Sequence, residues 1–207
     1  PKDIKIPILC SPTKVNLPIC VIGNGPSVEN LLPFIAKNRD KMILMCAGTA
    51  LKPLRSYGIK PDFQIEIERR DHVADVLRNA PLEDIPLICA DIIHPTTLEV
   101  AKEKYIFIRD STAATQMYSP KFSTKFSNPV VGNAALSLAL EFSSEIFLCG
   151  MDVGFKSDGK QHASNSFYDD RDDKSVEKFP TRGNFSNNVY TNALFALSRE
   201  LYEHAIS

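Results

Sequence analysis

The 207-residue chain is 43% hydrophobic and 24% charged, with 24 basic against 25 acidic side chains. That is the make-up of a soluble globular domain large enough for one sizeable core, and no apolar run approaches the ~20 residues needed to span a bilayer. Near-neutral charge excludes a broad field for nucleic acid or an anionic membrane, so neither is an expected partner and any nucleotide has to be held by local contacts.

Cys10, Cys20, Cys46, Cys89 and Cys149 form no CxxC pair, and four of them sit in apolar runs. They read as buried thiols in a reducing, cytoplasmic setting. The chain opens on Pro1 without a signal-peptide pattern and reads as a piece cut from a longer protein.

Taken in order, short β-rich runs at 19–22, 42–46, 63–67, 86–90, 105–108 and 145–149 alternate with amphipathic patterns at 28–38, 50–57, 71–79, 96–104 and 133–142, and a helix at 192–206 closes the chain. Alternation of this kind predicts a single α/β domain over 1–207, Rossmann-like, with helices flanking a mostly parallel sheet. Two stretches break the pattern. Residues 111–129 are rich in Ser and Thr without a clear period, and 156–188 are polar and carry Asp169-Asp170-Arg171-Asp172-Asp173. The second is expected to be a long polar lid, the alternative being a solvated insertion.

The first run ends in Gly23-Asn24-Gly25-Pro26-Ser27. Glycines in a strand-to-helix turn let a phosphate approach the main chain, where free amides and the positive end of a helix favour an anion. The loop is neither GxGxxG nor a lysine-bearing Walker sequence, and the same residues also suit a bare turn with Ser27 capping the helix. Other run ends put polar groups on the same sheet edge, where open α/β folds bind ligands. These are Gly48-Thr49, Glu66 and Glu68 with both carboxylates on one strand face, Val131-Gly132-Asn133 opening a helix, and Gly150-Met151-Asp152. The glutamates equally suit an exposed strand face.

His72 and His204 fall on predicted helices and His94 at a helix start, positions that suit surface or capping roles. His162 lies inside the lid, where a mobile imidazole can serve as general base or bind a departing phosphate. No zinc spacing, nucleophile elbow or kinase signature is present.

The ordered set Gly23-Asn24-Gly25-Pro26-Ser27, Gly48-Thr49-Ala50-Leu51-Lys52, Gly58-Ile59-Lys60-Pro61-Asp62-Phe63, Glu66-Ile67-Glu68, Gly150-Met151-Asp152, Asp158-Gly159-Lys160-Gln161-His162-Ala163 and Arg182-Gly183-Asn184-Phe185 resembles the central domain of the motility accessory factor proteins over residues 18–192. The resemblance implies a sialyltransferase-like glycosyltransferase that moves a nonulosonic acid, pseudaminic or legionaminic, from its CMP-activated form to Ser or Thr of flagellin, with no metal or separate cofactor required. By motif, Asn24 and Ser27 would meet the donor phosphate and nucleotide, with Gly132 and Asn133 beside the cytidine. Related sialyltransferases carry a histidine shortly before their last helix, where this chain has Thr181-Arg182-Gly183-Asn184-Phe185. His162 is then the substitute base, with Glu68 and Asp152 as further candidates. The loop is also similar to that of an archaeal group that pyrophosphorylates a hydroxymethylpterin. Such an enzyme would use Mg-ATP, with Glu66, Glu68 or Asp152 on the metal. A third reading is a nucleotide-binding module of flagellar assembly without catalysis.

Overall fold

The computed structural model describes residues 9, 13–118, 122–168, 177–184 and 188–207. The apolar runs pair into a six-stranded sheet of order β5-β4-β3-β2-β1-β6, parallel throughout. The strands are β1 (Ile19–Ile22), β2 (Ile43–Ala47), β3 (Phe63–Glu66), β4 (Leu87–Ala90), β5 (Lys104–Phe107) and β6 (Ile146–Cys149). Helices α1 (Val28–Lys37), α2 (Leu51–Ser56), α3 (His72–Asn79), α4 (Pro95–Glu99), α5 (Ala113–Tyr118), α6 (Val131–Phe142) and α7 (Ala193–Ile206) flank it. This is the Rossmann-like α/β class expected.

Side chains alternate across the strands, and because helices cover both faces the inner strands β1, β2 and β4 are apolar on both sides. Cys20, Ile22, Leu44 and Cys46 pack with Val28, Leu54 and Leu77 on one face. Ile19, Val21, Met45 and Ile65 pack with Ala134, Ala135 and Leu138 of α6 on the other. From β1 to β5 the chain steps steadily outward, and β6 then returns to the free side of β1. The order therefore reverses between β1 and β6, and the carboxyl ends of these two strands form the switch point at which open α/β sheets bind ligands.

Two expectations change. The helix expected over 96–104 is the short α4, because Lys104–Phe107 pairs with Leu87–Ala90 as β5. Residues 111–129 contain α5 rather than loop alone. Along and just beyond the polar stretch 156–188, β7 (Phe155–Lys156), β8 (Phe179–Thr181) and β9 (Val189–Thr191) form a small antiparallel sheet in the order β7-β9-β8. Strands of two or three residues are too short to show alternation in a sequence. The run Asp169-Asp170-Arg171-Asp172-Asp173, Cys10 and Phe185 lie outside the described residues. No helix among the described residues is long and apolar enough to cross a membrane. Cys20, Cys46, Cys89 and Cys149 are free and buried, as expected.

Candidate functional site

A cleft of about 480 Å³ opens at the switch point. Its walls bring together Gly23, Asn24 and Gly25 after β1, Gly48 and Thr49 after β2, Glu66 and Glu68 at the end of β3, Gly132 on α6, Gly150 and Asp152 after β6, and His162. Pro26, Ser27 and Asn133 do not line it, and they are the predicted site residues that the fold leaves outside.

The expectation of free amides in the first loop is corrected. Gly23 N donates to Cys149 O and Gly25 N to Gly150 O, both at 2.8 Å, while Ser27 N donates to Asp152 Oδ2 at 2.8 Å. Ser27 occupies the N-cap position of α1 but makes no side-chain cap bond, and Pro26 sits in the turn ahead of the helix. The loop after β6 has taken the place where an external anion was expected. Gly25 is required for this contact, since a Cβ there would overlap the Asp152 carboxylate and Gly150 O.

Asn133 is also reassigned. Only 1% exposed, it donates through Nδ2 to Ser198 O at 3.0 Å and accepts from Ser198 Oγ at 2.7 Å. With both ends of its amide engaged, it ties α6 to α7 instead of facing a ligand. Gly132 next to it does line the cleft, and a Cβ there would meet the hydroxyl of Tyr202 and the side chain of Met151.

Glu66 ends β3 facing inward and is 4% exposed. Its Oε1 accepts from Gln64 Nε2 at 2.9 Å, which also donates to Gly48 O at 2.8 Å. Burial pushes the Glu66 carboxyl up to about 8, against the stabilising Gln64 bond and with a smaller push from Glu68. At neutral pH it is a protonated acid in the wall of a cleft. Glu68 lies beyond the strand end and is exposed, accepting from the amide of Arg69.

Asn24 joins three segments. Its Nδ2 donates to Thr49 Oγ1 at 2.6 Å and approaches His162 Nδ1 at 3.4 Å, and its carbonyl accepts from Ala163 N at 2.9 Å. The other end of the side-chain amide, Oδ1, is buried without a partner. A buried amide oxygen left unpaired requires an explanation, and a ligand donor is one. Glu29, in the first turn of α1, fastens the His162 segment by accepting from Lys160 Nζ at 2.9 Å and from Ser164 N at 2.5 Å. Burial raises the Glu29 carboxyl, but the bonds from Ser164 and Lys160 outweigh it and hold it at about 2.

His72 and Tyr168 were not singled out as site residues from the sequence. His72 lines the cleft from α3, its Nε2 lies 3.2 Å from Tyr168 Oη, and the Tyr168 ring lies 5.6 Å from that of His162. The surface role expected for His72 is therefore corrected. Only the placement of α3 beside the end of β3 could have found it. His94 does cap α4, accepting from Thr96 N, and His204 is exposed near Glu200. Among the described residues no three His, Cys, Asp or Glu side chains converge on a metal position.

A family model described as 6-hydroxymethylpterin diphosphokinase MptE-like matches residues 3–158. The chain belongs to the MptE-like family. No curated protein sequence matches it. Among solved structures, the MAf glycosyltransferase from Magnetospirillum magneticum AMB-1 is similar, with a TM-score of 0.80 and 24% identity, over 97% of this chain and 31% of that one. At this identity the likeness shows a shared fold, the one the motility accessory factor motifs imply. The chain of this MptE-like family member spans under a third of that glycosyltransferase.

Proposed function

We propose that the chain is the donor-binding domain of a cytoplasmic glycosyltransferase that moves a nonulosonic acid from its CMP-activated form to Ser or Thr hydroxyls of flagellin. The observation that carries this reading is the switch-point cleft, in which Asn24, Thr49, Glu66 and His162 arrive from four separate segments and one end of the Asn24 amide is left without a partner. A cleft of about 480 Å³ falls within the usual range for small-ligand sites. The fold shared with the MAf glycosyltransferase supports the same reading.

In this reading the acceptor hydroxyl attacks the anomeric carbon as the bond to the CMP oxygen breaks, and the hydroxyl proton passes to a base. His162, or His72 through its contact with Tyr168, is the base. The Gly23, Gly25 and Ser27 amides are engaged within the protein, so charge on the departing phosphate falls to other donors. Protonated Glu66 is one such donor, placed where a hydrogen bond gains strength as negative charge develops. No step requires a metal.

The family match favours a second reading, a Mg-ATP-dependent diphosphokinase acting on a hydroxymethylpterin. Glu66, Glu68 or Asp152 would then hold magnesium together with the nucleotide phosphates and waters. Calorimetric titration separates the two. Binding of CMP with no response to Mg-ATP supports the transferase, and the reverse result replaces it. CMP binding by a natural protein that transfers no sugar would leave a nucleotide-binding module of flagellar assembly.

A further inference from the structure

A second cavity, of about 440 Å³, lies beside the cleft over the ends of β3, β4 and β5. The two share Ile67, Glu68 and Pro129 as a common rim. Arg109, two residues past the end of β5, lines this second cavity and is only 5% exposed. Its backbone is pinned by a bridge to Thr124. Its Nε is buried without a partner, and no hydrogen bond or ion pair among the described residues uses its guanidinium.

An arginine in this state is unusual. The guanidinium keeps its charge at any physiological pH, and a buried charge is costly unless paired and hydrogen-bonded. A structural arginine would normally spend its five donors on carbonyls or carboxylates. Asp91, with smaller contributions from Asp110 and Glu68, acts on Arg109 as a counter-charge at a distance, without a hydrogen bond to its guanidinium. On the rim, Arg69 adds a second positive group and Glu68 a negative one. Thr112 and Asn128 add neutral polar groups to the lining.

We propose that this cavity is an oxyanion-binding site in which the Arg109 guanidinium, assisted by Arg69, takes the carboxylate or phosphate group of a ligand. A planar fork of donors matches both groups in two-point geometry. The site does not depend on which nucleotide fills the neighbouring cleft. Because the two share a rim, one ligand could also span both.

The test titrates the wild-type chain and Arg109→Met with inorganic phosphate, with the free sugar acid N-acetylneuraminate, and with CMP. The expected result is that at least one of the two oxyanions binds the wild type and loses about tenfold or more in affinity in Arg109→Met, the usual scale for a lost charged hydrogen bond. CMP affinity should change by less than about threefold. Phosphate binding alone assigns the cavity to a phosphoryl group, and neuraminate binding alone assigns it to a sugar carboxylate. Urea unfolding supplies an independent readout: a buried charge without a hydrogen-bonded partner contributes little to the fold, so the midpoint of Arg109→Met should match or exceed that of the wild type. Should Arg109→Met fail to fold, Arg109→Lys must fold and still lose about tenfold, since an ammonium cannot reproduce the fork. The proposal is overturned if neither oxyanion binds the wild type, if the substitution leaves their affinity unchanged, or if both variants are strongly destabilised. A wild-type chain that binds an oxyanion through Arg109 but does not bind CMP would sink the glycosyltransferase reading alone, whereas loss of CMP binding in Arg109→Met would overturn the separate-site proposal.

Discussion

The carboxylate of Asp152 accepts the backbone N–H of Ser27 at 2.8 Å, so the first turn of α1 already holds an anion supplied from across the switch point. Two loops that the sequence separates by more than a hundred residues thus complete each other. Asp152→Ala should lower stability by about 1 kcal/mol, the usual cost of losing a carboxylate at a helix N-terminus. The same substitution frees the Ser27 amide and should strengthen inorganic phosphate binding at this loop. A urea titration and a phosphate titration check the two effects, and a variant with unchanged phosphate affinity would show that the loop is closed to anions.

Glu66 predicts a pH dependence of stability. Its native carboxyl titrates at about 8 and its unfolded one near 4.3. Between these values the native state holds a proton that the unfolded state has lost. Stability should therefore fall as pH rises from about 4.5 to 8, by an amount on the order of 4 kcal/mol for this group alone. Glu66→Gln keeps the shape and the Gln64 bond but removes the titration. Wild type and variant should be close in stability at pH 5, with the variant the more stable at pH 9. Parallel pH profiles would refute the assignment of a buried acid.

Glu29 works in a different window. Its carboxyl is held at about 2 by the Ser164 and Lys160 bonds despite partial burial, so its contribution is present above the ordinary glutamate range and lost as pH falls through about 2. Glu29→Gln should release the segment that carries His162. Hydrogen exchange at the amides of Ala163 and Ser164 should accelerate in the variant while that of the sheet is unchanged.

Asn133→Ala separates packing from binding. The variant leaves Ser198 without its partner between two helices, a loss of about 1 to 3 kcal/mol for a buried polar pair. Its affinity for CMP should stay within about twofold of wild type. A large fall in affinity without loss of stability would restore Asn133 to the ligand-facing role implied by the motif.

His162 and His72 divide binding from catalysis. If one of them removes the acceptor proton, its replacement by Ala in the natural protein should abolish sugar transfer and leave CMP affinity within about threefold, because a base on the acceptor side makes no ground-state contact with the nucleotide. A fall in affinity together with activity would place that imidazole against the donor instead.

The sequence alone was enough to determine the sheet and most of the cleft's components. The six apolar runs and the helical spacing between them predict the α/β class, since strands buried on both faces are largely apolar and the helices that cover them are amphipathic. Polar residues at run ends mark a sheet edge, which is why the sequence points to Asn24, Thr49, Glu66, Glu68 and Asp152, while His162 is found as the histidine of the polar stretch that follows the last strand. The tertiary structure alone decided what each of these residues is free to do. The amides of Gly23, Gly25 and Ser27 are paired within the protein because β6 returns beside β1, and strand order is not written in local pattern. Asn133 turned inward because α7 packs on α6 with Ser198 opposite it. The proton on Glu66 follows from burial, and His72 and Arg109 became site residues only when α3 and the end of β5 were set beside open cavities. Local pattern carries element type and edge, whereas partners, desolvation and vacancy depend on contacts between segments distant in the chain.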